Sequence, residues 1–287
     1  MITSTGEVAM FRRIAVHVDP GVDCPRRIEF CLRIAKAHDA HLTGIFASYM
    51  SPGNSFDEGG LWARSSERVI EIDTKSCATL QTAFCDAAGR AGVAASWRQG
   101  EGWPARCVSR HARYSDALII GQDNAYDLKA ATGSDFVEQT LLFVGRPVIV
   151  LPNAGTFETL GTRVLYCWNG GREAARAIAD AAPLLRKAGS LRVLTMDGDA
   201  GPKAEVEALF EDLAAYCACH GFPQAEHEIR STRDTDVGDA ILSAAADFGA
   251  DLIVMGAYGH SRMHQLVMGG ATRALLNAMT VPVLFSH

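Results

Sequence analysis

The 287-residue chain is 48% hydrophobic and 21% charged, with 33 acidic against 27 basic residues and a net charge of -6. That balance, with a pI near 5.8, excludes the concentrated basic footprint of a nucleic-acid surface, and Arg12-Arg13 and Arg26-Arg27 are too short to supply one. A mean hydropathy of +0.05 and the absence of an apolar run long enough to cross a bilayer exclude a membrane-spanning protein and point to a soluble globular one.

The first ten residues lack both a basic start and a long apolar core, so they do not read as a signal peptide, and the expected compartment is the cytoplasm. The eight cysteines have no paired metal-ligand spacing; Cys217 and Cys219 are separated by a single residue, and most of the set reads as small buried hydrophobes in a reducing compartment. Ile14 to Asp19 is strand-like. Ser51 to Gly60, rich in Gly, Ser and Asn, reads as an inserted loop. Asp116 to Gly121 is a short apolar run ending in glycine, the pattern of a buried parallel strand. Gln122 to Asp127 then carries two carboxylates, Asp123 and Asp127, which would repel a polyphosphate at short range. Gly133-Ser134 follows, and Arg146 to Leu151 is again β-like.

Pro152 to Gly161 is a turn-rich linker, after which the pattern repeats. Asp251 to Gly256 parallels Asp116 to Gly121, and Val281 to Phe285 parallels Arg146 to Leu151 at the same offset. Val164 to Asn169 parallels Ile14 to Asp19 at a larger one, which puts an insertion in the first copy. The repeat predicts two tandem domains, 1-152 and 160-287, each long enough to bury its own core. Within the second, Leu191 to Met196 reads as a strand, Lys203 to His220 as a helix, Glu226 to Arg230 as an exposed strand and Val237 to Phe248 as a helix capped by Asp236 or Thr235. Short apolar runs alternating with helical patterns predict an α/β fold, each half a parallel sheet with helices on both faces.

The most informative segment is Met255-Gly256-Ala257-Tyr258-Gly259, followed by Gly269-Gly270-Ala271-Thr272 and a short helix through Met279. Glycines on a strand-to-helix connection let an anion approach the backbone, where unpaired N–H groups and the helix dipole favour phosphate. This spacing resembles the universal stress protein family, whose signature is Gly, two residues, Gly, nine residues, Gly, then Ser or Thr. Gly256, Gly259 and Gly269 match it, whereas Gly270 stands where the hydroxyl residue belongs.

The resemblance implies two tandem Rossmann-like, doubly wound domains, each a five-stranded parallel sheet with helices on both faces, and an adenine-nucleotide site, for ATP with Mg2+. It sets the backbone of Met255 and Gly256 near the sugar and phosphates, with Gly259, Gly269, Gly270, Ala271 and the Thr272 hydroxyl in similar duties. Tyr258 occupies the loop position where nucleotide binders often carry a basic residue. Asn169 stands where they usually carry Asp, keeping one acceptor and adding donors. The first copy retains Asp19 but has no second glycine after Gly121 and offers Val137 in place of Thr272, so ATP is not expected there.

Trp97 and Trp168 lie near strand ends, where a base could stack, although core burial is the commoner fate. His260 and His264, four apart, lack a third ligand, and no metal site is expected. No nucleophile elbow or Lys-Ser/Thr phosphate loop is present, so dedicated catalysis ranks below nucleotide binding, with weak ATPase activity as its upper bound. Family members pair through their last strands, which implies a homodimer or an internal pseudo-dimer. The competing expectation is a nucleotide-free interaction module for unidentified protein partners.

Overall fold

A computed structural model describes residues 10–48, 61–123, 135–197, 203–233, 235–257 and 270–287. The chain divides into two compact units, one being Arg12–Arg146, the other Pro147–His287 joined by Phe11 from the N-terminal side.

The first unit runs β1 (Arg13–His17), α1 (Cys24–His38), β2 (His41–Ser48), α2 (Leu61–Ala91), β3 (Ala95–Glu101), α3 (Pro104–Ala112), β4 (Ala117–Gly121) and α4 (Phe136–Phe143). Its strands lie in the order β3-β2-β1-β4, all parallel. The second unit runs β5 (Val148–Leu151), β6 (Arg163–Cys167), α5 (Arg172–Asp180), α6 (Ala182–Leu185), β7 (Ser190–Met196), α7 (Lys203–Cys219), β8 (Ala225–Arg230), α8 (Val237–Phe248), β9 (Leu252–Gly256), α9 (Gly270–Ala278) and β10 (Val283–Ser286). Here the order is β5-β10-β9-β6-β7-β8. Five strands are parallel, and β5 adds to β10 antiparallel, with Ile149 opposite Leu284.

The doubly wound α/β architecture is therefore present, but in place of five parallel strands in each unit the described residues form four in the first and six in the second, one of them antiparallel, because β5 pairs with β10. The central strands β1, β4, β6 and β9 are apolar through their middles because helices flank them: Ile14, Val16, Leu118, Ile120, Val164, Leu165, Leu252 and Val254 are almost fully buried. Their starts are tied together by one device used twice. Asp116 Oδ2 accepts from the N–H groups of Arg12 and Arg13 at 2.6 and 2.8 Å. Asp251 accepts from the N–H groups of Thr162 and Arg163 at 3.0 and 2.8 Å and from the Thr159 hydroxyl at 2.6 Å. Each carboxylate thus accepts from amides that precede or open a central strand.

Helix α8 spans the predicted residues. Asp236 caps it, its Oδ1 accepting from the Gly238 N–H at 2.7 Å, and Gly249 ends it at φ 65°, a left-handed turn that suits glycine. The Ser51 to Gly60 insertion lies outside the described residues; α2, which follows it, was not expected from the sequence.

Candidate functional site

In the second unit the strand order reverses between β6 and β9. A doubly wound sheet leaves a crevice beyond the carboxyl ends of two such strands. The pairing of Val164 with Leu252 and Tyr166 with Val254 brings Trp168 and Gly256 level with one another at that end. Beyond β6 the chain turns through Gly170 at φ 70° into α5. Asn169 sets the turn: its Oδ1 accepts from the Gly171 N–H at 3.0 Å.

Gly256 has no room for a larger residue. A Cβ built there would lie 2.6 Å from the Glu173 carbonyl carbon and 2.8 Å from the Ala174 nitrogen, so α5 packs its backbone directly against the end of β9. Met255 is buried, and the Ala257 N–H donates to the Ser286 carbonyl at 2.7 Å, which extends the β9–β10 ladder past Gly256. On the helix side, α9 begins at Gly270, earlier than the sequence suggested, so Gly270 and Ala271 form its first turn and contribute N–H groups that have no intrahelical partner. Thr272 follows in the same turn and is buried. Asn169, Met255 and Gly256 thus stand at the strand ends and Gly270, Ala271 and Thr272 open the helix, while Tyr258, Gly259 and Gly269 lie outside the described residues, as do His260 and His264.

The equivalent crevice of the first unit is filled by its own chain. Asp19 makes the same turn as Asn169, its Oδ1 accepting from the Gly21 N–H at 2.7 Å. Its other oxygen is ion-paired with the guanidinium of Arg27, which also donates from Nε to the His17 carbonyl at 2.9 Å. A Cβ on Gly121, at the end of β4, would strike the same guanidinium. Arg27 therefore lies between the carboxyl ends of β1 and β4 and is itself buried.

Burial alone would push the Asp19 carboxyl up, but Arg27, His17 and the Gly21 N–H hold it below the usual carboxylate range. His17, its Nδ1 3.3 Å from Asp19, is pushed down to about 4 by burial, with Asp19 opposing and Arg27 adding to the effect, so it is neutral at pH 7. Sequence reasoning missed Arg27. The available signal was its position four residues before Cys31, on the face of α1 that also buries Ile28 and Ile34.

The carboxylate repulsion expected after Gly121 is weaker than two full charges. Asp123 is pushed up to about 7, by burial first, with Asp135 and Glu138 raising it further against the pull of the Val137 N–H. It is about half protonated at neutral pH. Asp127 lies outside the described residues. Val137 is buried in α4.

Of the two tryptophans considered for base stacking, Trp97 packs against Phe46 and Phe84 at ring separations of 6.4 and 5.7 Å in the first unit. Trp168 stands edge-on to His227 at 6.3 Å, and His227 in turn stacks on Phe210 at 4.2 Å. Among the described residues there is no cluster of three or more His, Cys, Asp or Glu side chains fit for a metal, and no helix is long and apolar enough to cross a membrane.

Residues 162–287 match the sequence model of the universal stress protein family. A stretch of 46 residues is 44% identical to universal stress protein Slr1230 of Synechocystis sp., a match that spans 16% of this chain and 16% of that relative. Among solved structures, a universal stress protein from Archaeoglobus fulgidus DSM 4304 is similar at a TM-score of 0.72 over 96% of this chain and 95% of its own, with 17% identity. A protein of Pseudomonas aeruginosa UCBPP-PA14, described as a universal stress protein, reaches 0.60 over 96% and 93% of the two chains, also at 17% identity. At such identities the likeness is one of fold.

Proposed function

With residues 162–287 a universal stress protein domain, we propose that the chain is a cytoplasmic stress-response regulator or sensor that binds ATP, with Mg2+, in the crevice between β6 and β9. One observation carries the reading: at the strand-order reversal a glycine strand end lies beside the Asn169 turn, while α9 opens on Gly270 and Ala271. The amides of that first turn and the positive helix end suit phosphates. The Asn169 side chain suits ribose or base, and the Thr272 hydroxyl is positioned in sequence for phosphate. Gly259 and Gly269 complete the glycine spacing around the loop.

Two substitutions test it. Gly256 is a poor choice, because a side chain there collides with α5 and unfolding would mimic loss of binding. Gly259→Asp adds a side chain and a like charge to the loop and is expected to abolish ATP binding in calorimetric titration. Asn169→Asp keeps the acceptor used by the Gly171 N–H and offers ribose hydroxyls a charged partner, which tightens binding by roughly tenfold. Equal affinity in wild type and Gly259→Asp removes the phosphate-loop assignment. A second reading, a nucleotide-free interaction module, draws on the first unit, whose crevice is already occupied by Arg27. Mass spectrometry of small molecules released from freshly purified, denatured protein separates the two, one nucleotide per chain for the first and none for the second.

A further inference from the structure

A cleft of about 330 Å3 opens in the first unit between the end of β3, α3 and α4, in the size range of small-molecule sites. Its walls include Trp103, Arg106, Arg110, Arg113 and Phe143. The three arginines recur about one helical turn apart along α3 and its C-terminal end, and all three are exposed. The Arg106 guanidinium lies over the Phe143 ring, 4.9 Å from its centroid, beside the end of α4. The Arg113 carbonyl accepts from Arg146 Nε at 2.7 Å, which brings another arginine alongside it.

The charge balance of this cleft, three arginines to one glutamate, differs from that of the chain taken whole. Acidic residues outnumber basic ones, 33 to 27. In the second unit Arg172, Arg176, Arg192 and Arg230 each meet a carboxylate. Among the described residues, Arg106, Arg110 and Arg113 meet none within ion-pairing distance, and Glu101, which also lines the cleft, stays out of reach. Neighbouring His111 feels the same excess: after burial, Arg110 and Arg98 lower its pKa further. Uncompensated cations in a concave site focus their field on an incoming anion. Guanidinium forks match phosphate and carboxylate alike. Trp103, 54% exposed at the N-terminus of α3, adds a flat apolar surface beside them.

We propose that this cleft is a ligand site distinct from the β6–β9 crevice, taking a small organic anion that carries at least two phosphate or carboxylate groups and a planar ring. The charges bridge Arg106, Arg110 and Arg113, and the ring lies on Trp103. The inference does not rest on nucleotide binding in the second unit.

Calorimetric titration of the full chain with uridine 5′-diphosphate, benzene-1,3,5-tricarboxylate and pyrophosphate tests it. At least one ring-bearing probe is expected to bind once per chain below about a millimolar; which one does so distinguishes phosphate from carboxylate. Arg110→Ala, a change at an exposed position, should weaken that binding by roughly tenfold or more. Trp103→Leu should weaken the ring-bearing probe and leave pyrophosphate within about twofold. Gly259→Asp should change none of these values. Absence of saturable binding by all three probes, affinity unaltered in Arg110→Ala, or binding lost in Gly259→Asp overturns the assignment.

Discussion

Arg27 and Asp19 form a buried pair whose removal from water is offset by mutual attraction and by bonds to the His17 carbonyl and the Gly21 N–H. His17 sits against this pair and against the Phe136 ring at 4.6 Å, buried and neutral. Since its folded pKa of about 4 lies below the ordinary 6.5, it contributes stability that is present above pH 6.5 and lost as pH falls towards 4. Asp123 acts in the opposite sense: its folded pKa of about 7 lies above 3.8, so its contribution is most favourable below pH 3.8 and is lost as pH rises through 7. Each effect is on the order of 3 kcal/mol at full extent. Urea midpoints measured from pH 4.5 to 7 should separate them. Relative to wild type, His17→Gln gains stability as pH falls and Asp123→Asn gains as pH rises. Curves parallel to wild type would remove both assignments. Neither residue was legible as a titrating group, because burial of a single polar side chain depends on packing between distant segments, whereas the Asn169 turn could be read from its own short stretch of chain.

Among the elements, the best-read were those whose ends carry local chemistry. Helix α8 has a side-chain cap at Asp236 and a glycine stop at Gly249, so both boundaries were written in single residues. Helix α9 begins at Gly270 rather than after Thr272 because a helix start next to glycine is set by neighbouring structure: a Cβ on Gly238 would lie 2.8 Å from the Ala274 side chain, so α8 and α9 fit closely. Helix α2 was not legible because its start follows directly on the glycine-rich Ser51 to Gly60 stretch, with no Ser, Thr, Asp or Asn beside Leu61 to mark a cap. The apolar runs of β4 and β9 were plain, yet the duty of the aspartates that begin them was not, since their partners lie 103 and 88 residues away. Asp251→Ala leaves the Thr162 and Arg163 amides without their acceptor and should cost about 1–3 kcal/mol in chemical denaturation. A loss below a few tenths of a kcal/mol would show that water replaces the carboxylate at no cost.

For the molecule as a whole, the repeat predicted the fold, but it cannot say which compact unit owns the strand after α4. Val148–Leu151 groups with the second unit by pairing with β10, so the sequence boundary near Pro152 falls after β5 and not before it. A fragment of residues 160–287 therefore lacks the strand that covers Val283, Leu284 and Phe285, all fully buried in the intact chain. Such an apolar edge is a template for pairing with another copy. Sedimentation should find the fragment self-associated at concentrations where the full chain is not; a monomeric fragment would mean that β5 contributes little to that edge. The filled crevice of the first unit has its own bearing on ligand binding. Arg27 is joined to Asp19 through only eight residues of helix and turn, and so competes with any diffusing ligand at an effective concentration of at least millimolar order. With that crevice self-occupied, ATP binding as proposed for the second unit would titrate one site per chain. Calorimetric titration is then expected to show a Hill slope of about one, with no coupling between repeats.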